Sequence, residues 1–270
     1  MSSHKTIWLE KQRQSGRAGE RTNRDDLVYF GYQKISRDEK VQRTCLHFET
    51  VARRYDFMNT LLSFGIHYLW KRTAIGMLKL KPGDRVLDVC GGTGDLSILA
   101  LRAVGPAGQV VLYDINRAMI QAGKTKPTHS SDRSRIRYVQ GNAEELSFPD
   151  NYFDAAMVGF GIRNVSRMDR GFAEMHRVLK PGAKLMCLEF SKPTFPLFRF
   201  LYDFYSFNIM PLLGELLAGS RKAYTLLPES IRTFPLPDEL AGMLKDIGFR
   251  RVVYRRLTNG IAAVHLGEKQ

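Results

Sequence analysis

Cysteine is scarce in this sequence: Cys45, Cys90 and Cys187 are the only 3 in 270 residues. They form an odd set with no metal-ligand spacing, which excludes a disulfide scaffold and leaves no expected metal site. Two fall in predicted strands, where a thiol acts as a small apolar group, so the expectation is a reduced, cytoplasmic protein. Long apolar runs are missing as well: no uncharged stretch suffices for a membrane span, and no secretory signal opens the chain. Residues 1–27 are polar and basic but contain Glu10, Glu20, Asp25 and Asp26, acids that transit peptides avoid. They read as a basic, disordered tail. Internal repeats are also absent. What the chain has in excess is positive charge, +14 with a pI near 9.8. That implies attraction to a nucleic acid, a phospholipid surface or an acidic substrate, without choosing among them.

The sequence is organised around Asp88–Asp95, DVCGGTGD, a glycine-rich turn between an apolar strand and a helix opening near Leu96. Glycines there permit positive φ and let backbone amides approach a ligand with no Cβ in the way. Asp114 closes the next apolar run, Gln109–Asp114, where a ribose-binding carboxylate belongs. A dinucleotide fingerprint needs a third glycine, and that place falls on Ser97. With an acid, Asp88, in front of the turn, the pattern suits S-adenosylmethionine better than NAD.

Strand and helix signals then alternate through strands Ile136–Gln140, Phe153–Val158 and Lys184–Phe190 and a helix at Met168–Leu179. This alternation predicts a parallel sheet with right-handed crossovers. After helix Asp238–Ile247, strands Arg250–Leu257 and Ile261–Leu266 flank Asn259-Gly260, a hairpin signal. A terminal antiparallel hairpin on a parallel sheet is the mark of the class I methyltransferase arrangement. Ahead of the sheet, residues from Phe30 to Trp70 read as helical, with Val41, Cys45, Phe48, Val51 and Ala52 on one face. Tyr55, Asp56, Asn59 and His67 stand there among apolar residues, each a packing residue on this pattern alone. The aromatic stretch Phe195–Gly214 contains Arg199, Asp203 and Pro211, which exclude a span. It reads equally as a lid over a greasy substrate, a membrane-surface element or a helix packed on the sheet.

The stretch after the fourth strand, Gly159–Asn164, is neither the Asn-Pro-Pro-Tyr run of amino-methylating nucleic-acid enzymes nor a Pro-Cys nucleophile. Arg163 is the chemical handle there, a permanent cation able to stabilise a forming phenolate or to orient a water that takes the proton. Asn142 and the Ala143 amide are placed for an adenine edge, and equally for an ordinary turn. An RNA methyltransferase and a non-catalytic scaffold are the alternatives; no RNA-binding module is recognisable, so no nucleic acid is expected.

The chain resembles the ubiquinone/menaquinone biosynthesis C-methyltransferases from Phe30 to its end. The shared motifs are FGYQ, ARRYDFMN, LLSFGIHYLWKR, GGTGD, NAEELSFPDNYFD, FGIRNV, RVLKPG, LEFSKP, YDFYSF, ESIRTFP and NGIAAVHLG. The resemblance implies an α/β, Rossmann-like class I fold with a seven-stranded, mostly parallel sheet, in one domain over residues 28–270. Residues 28–80 would form a helical cap and 191–235 an aromatic lid. It implies S-adenosylmethionine as cofactor, held by Asp88, Gly91, Gly92, Thr93, Gly94, Asp114, Ile115, Asn142, Ala143 and Gly159. Arg163, Tyr55 and Asp56 become the candidate catalytic residues of an acceptor pocket for a polyprenylated quinol. An anionic membrane surface, met peripherally, and a second copy of the chain are the other expected partners. Relatives carry a serine where Gly159 stands, and an acid near Gly219–Tyr224 where this chain has Arg221 and Lys222.

Overall fold

The structure is a computed structural model that describes residues 27–126 and 135–270. The predicted tail, apart from Leu27, lies outside the described residues.

Strands β3 (Arg85–Val89), β4 (Gln109–Asp114), β5 (Ile136–Gln140), β6 (Phe153–Gly159) and β7 (Leu179–Phe190) run parallel. β8 (Phe249–Leu257) and β9 (Ala262–Lys269) complete a 7-stranded sheet in the order 5-4-3-6-7-9-8, with β9 antiparallel to both neighbours. The expected hairpin is present, but its connection is longer than a two-residue turn: Thr258, Asn259 and Gly260 all take positive φ. β7 starts ahead of the predicted turn, which survives inside it as Gly182 at φ +77 and a register shift.

Central strands are apolar on both faces because helices cover both. Alternate residues feed separate cores. Val86, Leu112, Met157 and Met186 pack under α3 (Ile66–Leu78), α4 (Asp95–Val104) and α5 (Arg117–Thr125). Leu87, Val111, Ala156 and Leu185 pack under α6 (Met168–Val178) and α10 (Pro237–Ile247). Leaving β3, the chain builds outward to β5 and then returns to β6 on the other side, so the carboxyl ends of β3 and β6 flank a topological switch point, where such sheets bind ligands.

The segment ahead of the sheet begins differently from the expectation. Leu27–Phe30 and Gln33–Ser36 form a small antiparallel hairpin, β1 and β2, turning at Gly31 with φ +59. Helices follow: α1 (Arg37–Val51), capped by the Ser36 hydroxyl, and α2 (Tyr55–Leu62). The apolar face predicted for α1 is real, yet Val41, Cys45, Phe48 and Val51 line a cavity over the sheet.

The aromatic insertion is a helical run of α7 (Pro196–Phe204), a π-turn (Tyr205–Ile209) and α8 (Met210–Ala218), followed by α9 (Arg221–Thr233). Pro211 removes a backbone donor at the start of α8, which accounts for the widened turn before it. Val51, Met58 and Leu62 of the cap join Met210, Ala223 and Tyr224 in a third apolar cluster. The Tyr205 hydroxyl donates to the Leu62 carbonyl at 2.9 Å. Cap and insertion thus roof the same edge of the sheet.

Candidate active site

The glycine turn sets the floor. Gly92 (φ +56) and Gly94 (φ +85) occupy the left-handed region, and Gly94 begins α4 without a side-chain cap. The bend exposes backbone amides, and one is already used: Gly92 N–H donates to Asp114 Oδ2 at 2.8 Å. Asp114 Oδ1 accepts from Asn116 N at 2.8 Å, and Asn116 in turn caps α5 and donates to the Cys45 carbonyl of α1. Asp114 is therefore fixed with its remaining lone pairs toward the cavity it lines. Burial pushes its carboxyl up.

Asp88 is 1% exposed, and its Oδ2 accepts from Ser97 Oγ at 2.6 Å. Its Oδ1 is buried and has no partner. Burial raises this carboxyl to about 7, against the lowering effect of Ser97.

Thr93 and Asp56 meet, although the sequence suggested separate roles. Thr93 Oγ1 donates to Asp56 Oδ1 at 2.7 Å, and Lys126 Nζ pairs with Asp56 Oδ2 at 3.0 Å. Lys126 also pairs closely with Asp95, as does Lys71 of α3 at 2.6 Å. Asp56 is therefore not on the cavity wall; it clasps the cap to the glycine turn. Thr93 lines the cavity, and its hydroxyl is committed to Asp56 and Lys126.

Tyr55, Ile115, Asn142, Ala143, Gly159 and Arg163 do line the cavity, with Asp88, Gly91, Gly92 and Thr93. Gly94 is not on the wall. Asn142 Oδ1 accepts from Glu144 N at 3.0 Å, the usual turn closure, and leaves its amide group to spare. At Gly159 a Cβ would lie 2.3 Å from Leu96 Cδ1. The Leu96 side chain thus occupies the space where the resemblance implied a serine hydroxyl.

Arg163 sits on a short 3-10 turn, Ile162–Asn164. Its Nη1 donates to Glu189 Oε1 at 2.8 Å and to the Phe160 carbonyl at 2.5 Å, and its guanidinium stands over the Phe190 ring. Both partners are buried, with side-chain exposures of 8% and 2%. The turn itself is held by Lys40 of α1, whose Nζ donates to the Arg163 and Val165 carbonyls at 3.3 and 2.9 Å. Burial lowers the Lys40 ammonium to about 8.

Sequence reading missed Glu189, Lys40, Lys71 and Lys126. Glu189 had a signal, a carboxylate inside the apolar run Met186–Phe190, which demands a buried cation. The lysines had none, because their partners lie far away in the chain. Among the described residues no cluster of His, Cys, Asp and Glu could hold a metal, and no helix is long and apolar enough to cross a membrane.

One cavity of about 460 Å³ links these parts, a size that takes a small ligand pair. It runs from Asp88 and Asp114 to a greasy end walled by Phe64, Phe198, Leu201 and Tyr205. Strand order, glycine turn and the two acids at the ends of adjacent strands define the class I, Rossmann-like methyltransferase fold. Solved structures share it: a SAM-dependent methyltransferase from Thermotoga maritima superposes at TM-score 0.58 with 18% identity, over 84% of this chain and 96% of its own. The [4+2]-cyclase SpnF superposes at 0.62 with 17% identity over 84% and 96%, so the fold alone does not fix the chemistry. The sequence is more specific. The chain belongs to the ubiE/COQ5 methyltransferase family, whose profile matches residues 33–269. Relatives named ubiquinone/menaquinone biosynthesis C-methyltransferase UbiE include those of Stutzerimonas stutzeri, 46% identical over 91% of this chain and 96% of the relative, and Vibrio cholerae, 46% identical over 93% and 97%. The chain is accordingly a methyltransferase.

Proposed function

We propose that this enzyme transfers the methyl of S-adenosylmethionine to a ring carbon of a polyprenylated quinol, as the names of its relatives suggest. The observation that carries the reading is the continuous cavity with a carboxylate-lined end and an aromatic end. The first end suits the cofactor. The unpartnered Asp88 Oδ1 calls for a donor such as an ammonium, Asp114 has lone pairs for ribose hydroxyls, and Asn142 with the Ala143 amide suits an adenine edge. Bound there, the cofactor would supply an electrophilic methyl on a sulfonium. The protein's own part is to hold the acceptor in line, keep water out and stabilise negative charge on the acceptor oxygen. Arg163 serves the last purpose.

The aromatic end suits a prenylated ring and the bilayer it dwells in. No residue of α7 is buried, and Phe195, Leu197, Phe200, Leu201 and Phe204 are each at least half exposed. Leu212 and Leu216 of α8 and Phe64 beside the cavity extend this bare surface. Arg199 stands on α7 itself and Arg54 donates to the Leu217 carbonyl of α8 at 2.5 Å, so cations accompany the apolar face, the arrangement of a helix lying in an anionic membrane interface.

The test is label transfer from S-adenosylmethionine to reduced short-chain demethylmenaquinone and to the methoxy-benzoquinol, with RNA as control. Label in either quinol supports the reading and identifies the ring. Label in RNA alone overturns it. Flotation with anionic liposomes at low salt tests the surface: the protein should float, Phe200→Asp/Phe204→Asp should not, and loss of self-association instead would assign the face to a second copy.

A further inference from the structure

His67 is a buried titratable group for which methyl transfer has so far no use. It lies in the first turn of α3, is 4% exposed and lines the cavity. Its Nε2 is 3.3 Å from Thr60 Oγ1, which is also 3.0 Å from the Tyr68 hydroxyl and 2.8 Å from the Asp56 carbonyl. These contacts fix the tautomer. Thr60 has a single hydroxyl proton, and the Asp56 carbonyl, with no proton to give, receives it. Toward His67 and Tyr68 the Thr60 oxygen is an acceptor only, so Nε2 must be the protonated nitrogen. Nδ1 keeps its lone pair, and it is buried without a partner. A buried acceptor left unpaired is unfavourable, and an arriving hydroxyl would relieve it.

We propose that His67 Nδ1 is the general base that takes the hydroxyl proton of the acceptor ring. The proposal rests on the quinol reading above. The acceptor O–H bond breaks, the proton goes to Nδ1, and the bonding pair stays on oxygen and spreads into the ring. That pair forms the new C–C bond to the methyl while the C–S pair remains on sulfur. The ring C–H proton is then lost and the oxygen regains a proton, so one proton per turnover finally leaves through His67 to solvent.

The carboxylates and the arginine are unsuited or engaged, and of the two wall imidazoles only His67 has a fixed tautomer. Arg163 has no lone pair to offer. Asp56 and Asp95 are tied to Lys126, Thr93 and Lys71. His47, also on the wall, has no hydrogen bond among the described residues that would fix a tautomer. Around His67 stand Lys71 on its own helix, Asp95 of α4, Asp56 of α2 and Lys126 after α5; burial first, then Lys71, lowers the imidazolium to about 4. The ring is thus neutral across pH 6 to 9, with the Nδ1 lone pair free.

The experiment compares the full-length wild type with His67→Gln in label transfer to reduced short-chain demethylmenaquinone between pH 6 and 9. The wild type should be flat across this range. The variant should lose at least about 100-fold in kcat at pH 7, the scale of general-base catalysis. Its rate should then climb about tenfold per pH unit as the substrate ionises unaided, while KM for S-adenosylmethionine stays within about twofold. An unchanged kcat, or a loss that is flat with pH, overturns the proposal. Should His67→Gln fail to fold, nitrogen-15 spectra of the histidine-labelled wild type decide: Nδ1 must appear as the unprotonated nitrogen, and the opposite tautomer refutes the assignment. A wild type that leaves quinols unmethylated removes the acceptor reading and this base with it, whereas an active wild type beside an unaffected variant removes the base alone.

Discussion

Removing Glu189 tests whether Arg163 is held as a desolvated cation at the acceptor end. The pair is close, at 2.8 Å, and its side chains are 8% and 2% exposed. Glu189→Ala would leave the guanidinium in a wall of Phe160 and Phe190 with the Phe160 carbonyl and the Ser230 hydroxyl as remaining partners. Stranding one member of a buried pair costs about 3–5 kcal/mol. For a chain of this size that lowers Tm on the order of 10 °C. Glu189→Gln keeps an acceptor for Arg163 and for the Phe190 amide, and should cost only about 1–2 kcal/mol, the difference between a charged and a neutral hydrogen bond. Replacing both residues with methionine should restore most of the stability, since apolar replacement of a buried pair is often neutral, yet leave no activity. The assays are urea unfolding by circular dichroism and label transfer to the quinol. A cost below about 1 kcal/mol for Glu189→Ala would mean that the pair is solvated, and an active double variant would remove Arg163 from the chemistry.

The remaining predictions concern the cofactor end. Burial raises the Asp88 carboxyl to about 7, and an ammonium pairs only with the ionised form, so S-adenosylmethionine should bind more tightly as pH rises from 6 to 8; calorimetry on Asp88→Asn should find that dependence gone. The same shift makes the native state hold a proton that the unfolded chain has released between about pH 4 and 7, so Asp88's contribution to stability must fall as pH rises through that window. Denaturation midpoints of Asp88→Asn against wild type should converge at the acid end and favour the variant above it. Asp114→Ala should lose at least about tenfold in cofactor affinity, while Arg163→Ala keeps it and loses turnover; equal affinity for wild type and Asp114→Ala would sink the cofactor assignment. Gly159→Ser should displace the end of Leu96 for less than about 1.5 kcal/mol, measured by urea unfolding, because only a flexible methyl is in the way.

The sheet was legible because each of its signals is local. Strands such as Gln109–Asp114 are continuous apolar runs between turn residues, and the glycine turn announces itself by composition. Asp114 could be placed at the cavity for the same reason, since its partners, Gly92 and Asn116, are fixed by the turn and by the helix it precedes. Residues 27–36 were misread because a hairpin this short has too few alternations to compete with the helical pattern that follows. The resemblance placed Asp56 in the acceptor pocket together with Tyr55, but on a helix adjacent residues point about 100° apart, and Asp56 turns to Thr93 while Tyr55 faces the cavity. Lys71, Asp95 and Lys126 come together only through the fold.

The pairing of Arg163 with Glu189 also limits what that arginine can do. A free buried guanidinium would attract any anion and could by itself ionise a nearby phenol. Neutralised by Glu189, it offers a dipole and spare N–H donors, enough to stabilise a phenolate as it forms but too little to hold one as the resting state. On the proposed reading another group then takes the proton as the methyl is transferred. On the cavity wall Asp88 and Asp114 lie at the cofactor end, Asp95 is tied to lysines, Glu144 accepts from the Ser166 and Arg167 amides, Tyr55 is held protonated by burial, and Lys71 is committed to Asp95. What remain on the wall are two imidazoles held neutral by burial, His47 and His67, and of these only His67 has contacts that leave a defined basic nitrogen unpaired, which is why the proposed reading gives the proton to it.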